Sequence, residues 1–428
     1  MPDIQAFRAF RYDLGRAGAL SDLVAPPFDT ISPELQTHLE AKSPYNVVNI
    51  DLGRDEPGDD ANRNRYTRSA TRLRDWIQSG VVQQDTARGL YVYHQQYTLD
   101  GAVHTRRGFF ARIRLQPFGE GTVYPHELTF KGPKEDRLKL MRATGMNLSS
   151  VFGMYPDPDG SVQRKLDSAI ERALPLEATD HLGTISRLWP VTDSALVSEI
   201  TGLMGPKPLV IADGHHRYET ACHYLAERRA AGDVPNAEAA PNFALMLFVA
   251  TSDPGLLVHP THRLLSGLGG LTADDVRKLL GSHFEVEPAA SAEEAWQNIE
   301  LDGSQSILAF GTAADQRWLV ARFVKPEVMD ELAADHSATW RGLGVSILHK
   351  LVIEKLIGRE PQTKFVHRTE EAADAVKNRT CDLAVLVPAC SVAETEKIAV
   401  EGETMPQKST YFYPKILTGM VFNSLKGH

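Results

Sequence analysis

A short apolar run, Leu209 to Ala212, ends in Asp213, Gly214, His215, His216 and Arg217, and a helical pattern then runs from Tyr218 to Arg229. This order leaves the chain few options. A buried strand must stop, turn sharply and enter a helix within a few residues. Gly214 permits the turn and the close approach of a ligand. The N–H groups that open a helix, backed by its dipole, favour phosphate oxygens at that point. Arg217 adds a bidentate grip, and His215 and His216 add donors that strengthen on protonation. A helix cap with one surface salt bridge explains so many polar side chains less well, so the stretch is read as an anion site.

The rest of the chain bounds what such a site can serve. At 428 residues the protein exceeds one simple core, and its 42% hydrophobic and 24% charged residues are those of ordinary globular domains. No apolar run approaches the roughly 18 residues that cross a bilayer. The N-terminus lacks a basic segment followed by an apolar one, so a cytoplasmic protein with no membrane partner is expected. Cys222, Cys381 and Cys390 are odd in number and lack zinc-like spacing, which argues against a disulfide framework. The net charge of −9 argues against a nucleic-acid partner. A small phosphorylated ligand needs only a local positive pocket, and it stays compatible.

The patterning predicts an α/β (α+β) protein in four segments. Residues 1–120 form an N-terminal α/β region, with a helix opened by Ser32 and Pro33, a strand over 45–50, a helix over 62–79, and strands over 90–99 and 107–115 joined at Asp100-Gly101. Residues 121–263 hold most of the polar motifs and form the core. Residues 264–399 read as an inserted α+β module with helices on one face of a sheet: helices over 272–280 and 292–299, strands over 284–287, 306–310, 317–323 and 383–387. Residues 400–428 are expected to return to the active site.

Three further clusters carry chemistry. Glu127 follows His126 in a proline-bounded loop, where a carboxylate can accept a hydroxyl proton; Lys131, Lys134 and Arg137 follow as possible phosphate ligands, and Asn147 as a cap. Lys408, Ser409 and Thr410 combine charge with hydroxyls, without the glycine spacing of a P-loop. His259 and His262 flank Pro260, which opposes the helix that a zinc pair would need. His262 and Arg263 are assigned instead to the substrate. Each cluster alone has a plain reading as loop charge or packing.

The run from Pro125 to Arg142, the Asp213 turn, the Pro260-Thr-His-Arg-Leu264 piece and the run from Met405 to Lys415 together resemble a bacterial family known as domain of unknown function 1015, which Ala25–Asp29 and Pro44–Val48 also fit. That resemblance spans nearly the whole chain and by itself implies no activity. Pro125–Glu127, Asp213–Glu219 and Met405–Thr410 also resemble, more distantly, the ordered motifs of free-serine kinases with the ParB/sulfiredoxin-like fold. The resemblance implies a ParB/sulfiredoxin-like nucleotide-binding core in which Glu127, with His126 beside it, acts on the substrate hydroxyl. It gives Asp213, Gly214, His215, His216 and Arg217 to the nucleotide phosphates, with Lys408, Ser409 and Thr410 lining the same pocket. The chain departs from those kinases in the long separation of its motifs, in the 264–399 module and in Ser409, where they have threonine.

The function expected is phosphorylation of a hydroxyl-bearing metabolite such as serine, with ATP or ADP and Mg2+ as cofactors. Asp213 would either orient Arg217 or hold the magnesium through water. Two rivals stand beside it: a nucleotide-binding switch or NTP hydrolase on the same fold, and a metal-dependent hydrolase built on His126, His215, His216 and His262. The last is disfavoured because adjacent histidines seldom reach one metal.

Overall fold

The Leu90–Leu99 and Ala102–Arg114 strands pair antiparallel, Tyr91 opposite Phe110 and Leu99 opposite Ala102. Alternating apolar residues on both sides of a tight turn produce this hairpin. The computed structural model describes residues 2–99, 101–129 and 131–426, so Asp100 of the expected turn lies outside the described residues. Those residues fold as two compact units. One gathers the chain up to Pro125, Thr129–Leu256 and the residues from Pro414 onward; the other holds His126–Leu128 and Leu257–Tyr413.

In the first unit the hairpin is the spine of a nine-stranded mixed sheet. Phe243–Ala250 is buried at every position, as a continuous apolar run must be when both faces of its sheet are covered. It pairs antiparallel with Ala102–Arg114 and parallel with Val151–Tyr155. Leu209–Asp213 lies antiparallel to Val151–Tyr155, and Val123–Tyr124 closes that edge. Phe109, Met246, Phe248, Ile211 and Tyr218 belong to the core beneath. The Lys131–Thr144 and His215–Ala230 helices pack against each other.

One local expectation fails. Residues 45–50 read as a strand, but the chain forms a short Val48–Asp51 helix. The buried Asn46 is the cause. Its amide donates to the Asp22 and Val24 carbonyls at 2.8 and 3.1 Å, and its Oδ1 accepts the Val48 N–H at 2.9 Å. A side chain that mimics a backbone turn outweighs the apolar run that follows it.

The second unit is built on a six-stranded sheet, in the order Phe284–Ala289, Arg317–Phe323, Ile307–Thr312, Leu383–Leu386, His262–Ser266, Gln362–Val366. Every pairing is antiparallel. Its strands feed two apolar clusters alternately. Leu265, Leu308, Phe310, Leu383 and Val385 enter one, with the Ala273–Leu280 and Ile347–Ile357 helices. Leu264, Ala309, Ala384 and Leu386 enter the other, with the Ala292–Asp302 and Thr369–Lys377 helices. Helices therefore cover both faces of this sheet and not one, because the period-two alternation is apolar on each side. Among the described residues no helix is long and apolar enough to cross a membrane.

Candidate functional site

The anion turn sits at the end of the Leu209–Asp213 strand. Ile211 faces Gly153, yet Asp213 faces Phe152, so one extra residue bulges from the ladder immediately before the turn. A bulge re-aims the side chains beside it. Gly214 then adopts φ 88° and ψ 30°, a left-handed conformation that a side chain would oppose, and caps the His215–Ala230 helix without a side-chain hydrogen bond of its own. A Cβ at Gly214 would stand 2.8 Å from Arg217 Nε, so the guanidinium folds back across the glycine.

Arg217 is held from two sides. Its Nη1 donates to the Ser150 carbonyl, and its Nη2 lies 3.1 Å from Asp213 Oδ1. The other oxygen of Asp213 accepts from Lys415 Nζ at 2.7 Å. The Lys415 carbonyl receives Gln95 Nε2 at 2.9 Å, and Gln95 Oε1 accepts from Arg106 Nη2. Arg106 is 1% exposed, and burial pushes its guanidinium down to about 10. Its Nη1 has no hydrogen-bond partner among the described residues. His215 is buried and His216 is partly exposed at the start of the helix. Two cationic side chains, Arg217 and Lys415, thus meet one carboxylate in the first unit, and Arg106 is linked to them through Gln95. Lys415 and Arg106 belong to this group and were not assigned to it from the sequence. Lys415 ends the Met405–Lys415 motif, which is a usable signal; Arg106 lies inside a hairpin strand, where nothing marks it.

In the second unit Glu127 forms a parallel bridge with Met405, and the Met405 N–H donates to the His126 carbonyl at 2.8 Å. Glu127 Oε1 accepts the backbone N–H of Lys408 at 3.0 Å. Lys408 is exposed and has φ 56°, left-handed backbone that a non-glycine residue adopts at a cost. The structure therefore brings Glu127 and Lys408 together. It gives the neighbouring residues supporting roles. His126 is fully buried and its Nε2 lies 2.8 Å from Thr410 Oγ1; Ser409 Oγ donates to the Pro406 carbonyl.

Other expectations are corrected. His262 and Arg263, assigned to the substrate, are 0% and 1% exposed, because the apolar strand His262–Ser266 carries them into the interior. His262 Nδ1 accepts the Val387 N–H at 3.3 Å, and burial, then the Arg263 charge, hold the imidazole down to about 3. Arg263 donates to the Lys408 carbonyl at 3.1 Å. Arg137 is buried over the Phe28 ring, 3.9 Å to its centre, and pairs with Asp51 at 3.1 Å. Lys134 pairs with Glu219 at 3.2 Å. The Lys131 side chain lies outside the described residues. Asn147 is an internal clamp, its Oδ1 accepting from Leu245 N at 3.1 Å and Asn423 Nδ2 at 2.9 Å.

Among the described residues no group of three or more His, Cys, Asp or Glu side chains could hold a metal ion. Asp213, the carboxylate considered for magnesium, is engaged by Arg217 and Lys415.

A mixed α/β protein whose bulged strand delivers an acid, a glycine and an arginine to a helix start is a candidate anion binder. The chain belongs to the family described as Protein of unknown function (DUF1015), whose pattern matches residues 4–346. Among solved structures it aligns with a conserved hypothetical protein from Pyrococcus furiosus at 13% identity and a TM-score of 0.34, over 69% of this chain and 89% of that one. A free serine kinase variant in complex with AMP aligns at 12% identity and 0.36, over 71% and 87%. SbnI with C-terminal truncation from Staphylococcus aureus aligns at 10% and 0.33, over 70% and 83%. No curated protein matches the chain.

Proposed function

We propose that this protein is a nucleotide-dependent phosphotransferase acting on the hydroxyl of a small metabolite, with free L-serine the first acceptor to test. The observation that carries the reading is the Asp213–Arg217 turn, where a bulge, a left-handed glycine and an arginine held by Asp213 and Ser150 prearrange donors at a helix start. The phosphate tail of ATP or ADP is assigned to this turn, with Arg217, His215 and His216 as its ligands. Glu127 is assigned the proton: as the acceptor oxygen bonds to the terminal phosphorus, its hydrogen passes to the Glu127 carboxylate and the shortened nucleotide leaves. Lys408 supplies charge to the leaving phosphate, and Ser409 and Thr410 hold its loop. Such a reaction depends on alignment and charge neutralisation more than on covalent chemistry, which suits residues fixed by so many hydrogen bonds.

The test is direct detection of phosphorylated product from hydroxy amino acids offered with ATP, ADP or CTP. One nucleotide is expected to give product with the wild type and none with Glu127→Gln, which should still bind that nucleotide. A switch or NTP hydrolase is the second reading. The Lys408 N–H on Glu127 Oε1 favours it, since a carboxylate tied to backbone can serve as a latch. Nucleotide binding or hydrolysis by the wild type without any phosphorylated acceptor would decide for that reading.

A further inference from the structure

The first unit contains a second concave surface, of about 840 Å³, that the proposed reaction does not use. That volume lies within the ordinary range of small-molecule sites. Arg8, Arg88, Arg112, Arg142, Arg228 and Lys426 line it, against Asp233 and Glu238 alone among the acids. The chain as a whole carries −9, so this concentration of cations runs against the surface around it. Self-repulsion makes such a patch costly unless a ligand uses it.

The two acids offset only part of it. Asp233 pairs with Arg228 at 3.1 Å, and Glu238 is taken by Arg114 at 2.7 Å, while Arg142 reaches outside the groove to Glu227, Nε to Oε2 2.9 Å. Arg8 gives its Nε to the Asp85 carbonyl at 2.8 Å. Arg112 gives Nη2 to Gln5 at 2.6 Å and lies over the Phe243 ring, 4.1 Å to its centre. Among the described residues Arg8, Arg88, Arg112 and Lys426 have no carboxylate partner. Arg112 Nε and Arg228 Nε are both buried without any hydrogen-bond partner among those residues. Burial, and after it the charge of Arg88, push the Arg112 guanidinium below its ordinary range. Lys426 lies across Gly145, whose φ of 65° and missing side chain make room for it.

The groove is not the Gly214 turn under another description. Arg228 stands near the far end of the His215–Ala230 helix, roughly 20 Å along the axis from Gly214 at the usual rise per residue. We propose that the groove is a second anion site, which takes a small polyanion bearing two or more phosphate groups. Guanidinium forks on several strands and helices match phosphate oxygens in pairs.

The experiment is calorimetric titration of the intact chain with inorganic tripolyphosphate at physiological salt, in the wild type, in Gly214→Ala and in the double variant Arg88→Glu, Lys426→Glu. Arg88 and Lys426 are exposed, so reversing their charge leaves the core intact. A binding event that persists in Gly214→Ala and weakens by at least about tenfold in the charge-reversed protein is the expected result. Unchanged affinity in the charge-reversed protein overturns the proposal. So does an event that only Gly214→Ala removes, which would leave the turn as the one anion site. Tighter capture of single-stranded DNA than of tripolyphosphate by the same residues would equally overturn it, in favour of a nucleic-acid surface. A groove event with no binding event that Gly214→Ala weakens would instead count against the nucleotide reading alone.

Discussion

Gly214 concentrates the account at the scale of one residue. Its backbone is left-handed and its missing Cβ leaves room for Arg217, so Gly214→Ala should cost about 1–2 kcal/mol, read from denaturant unfolding. A neutral substitution would mean that the turn relaxes freely and holds nothing in place. Lys408 poses the opposite case, a long side chain kept at φ 56° with its N–H on Glu127. Lys408→Gly is expected to keep or raise stability, by up to roughly 1 kcal/mol, while weakening nucleotide binding. Clear destabilisation would show that the side chain packs and does not wait for a phosphate. At this scale the sequence was readable where polar residues crowd a turn, as at Asp213 and Arg217. It was opaque where one polar residue hides in an apolar strand: Arg106 is such a case, and so are His262 and Arg263, whose burial follows from the strand around them.

At the scale of elements, the strands and helices with regular period were legible. The Arg65–Gln78 helix starts where Asn64 and Thr67 cap each other, and the Ala273–Leu280 helix where Thr272 and Asp275 do the same. The bulge before Gly214 was not legible, because register is set by the partner strand and not by the strand's own residues. The second unit carries a pH signature of its own. Burial is the first cause holding His262 and His349 down to about 3, from an ordinary value near 6.5. Unfolding returns both to the ordinary value, so below pH 6.5 the unfolded chain takes up protons that the folded unit refuses, and stability falls as pH drops towards 3. Each histidine should add roughly 1 kcal/mol per pH unit to that slope. Urea midpoints for the wild type and His262→Gln, compared between neutral and mildly acidic pH, check this. The variant should show the shallower acid dependence, and equal slopes would place the proton uptake elsewhere.

For the whole molecule, a mixed α/β fold and most of its succession of strands and helices could be read from patterning alone, since the apolar runs, apart from that over 45–50, had the length and period of their elements. Pairings between distant segments could not. Glu127 bridges Met405, and Asp213 meets Lys415, across spans that leave no local trace in either segment. Motif order carried that information and periodicity did not. Net charge likewise hid the basic groove, because a total averages over a surface whose clusters matter.

The central claim is that the Gly214 turn is a phosphate cradle serving a nucleotide. Calorimetric titration of the intact chain with ADP and ATP, in the wild type, Gly214→Ala and Glu127→Gln, tests it most directly. The account predicts one nucleotide bound per chain, an affinity lowered at least about tenfold by Gly214→Ala, and an affinity preserved in Glu127→Gln. Equal binding by the wild type and Gly214→Ala, or no binding of either nucleotide by the wild type, would contradict it.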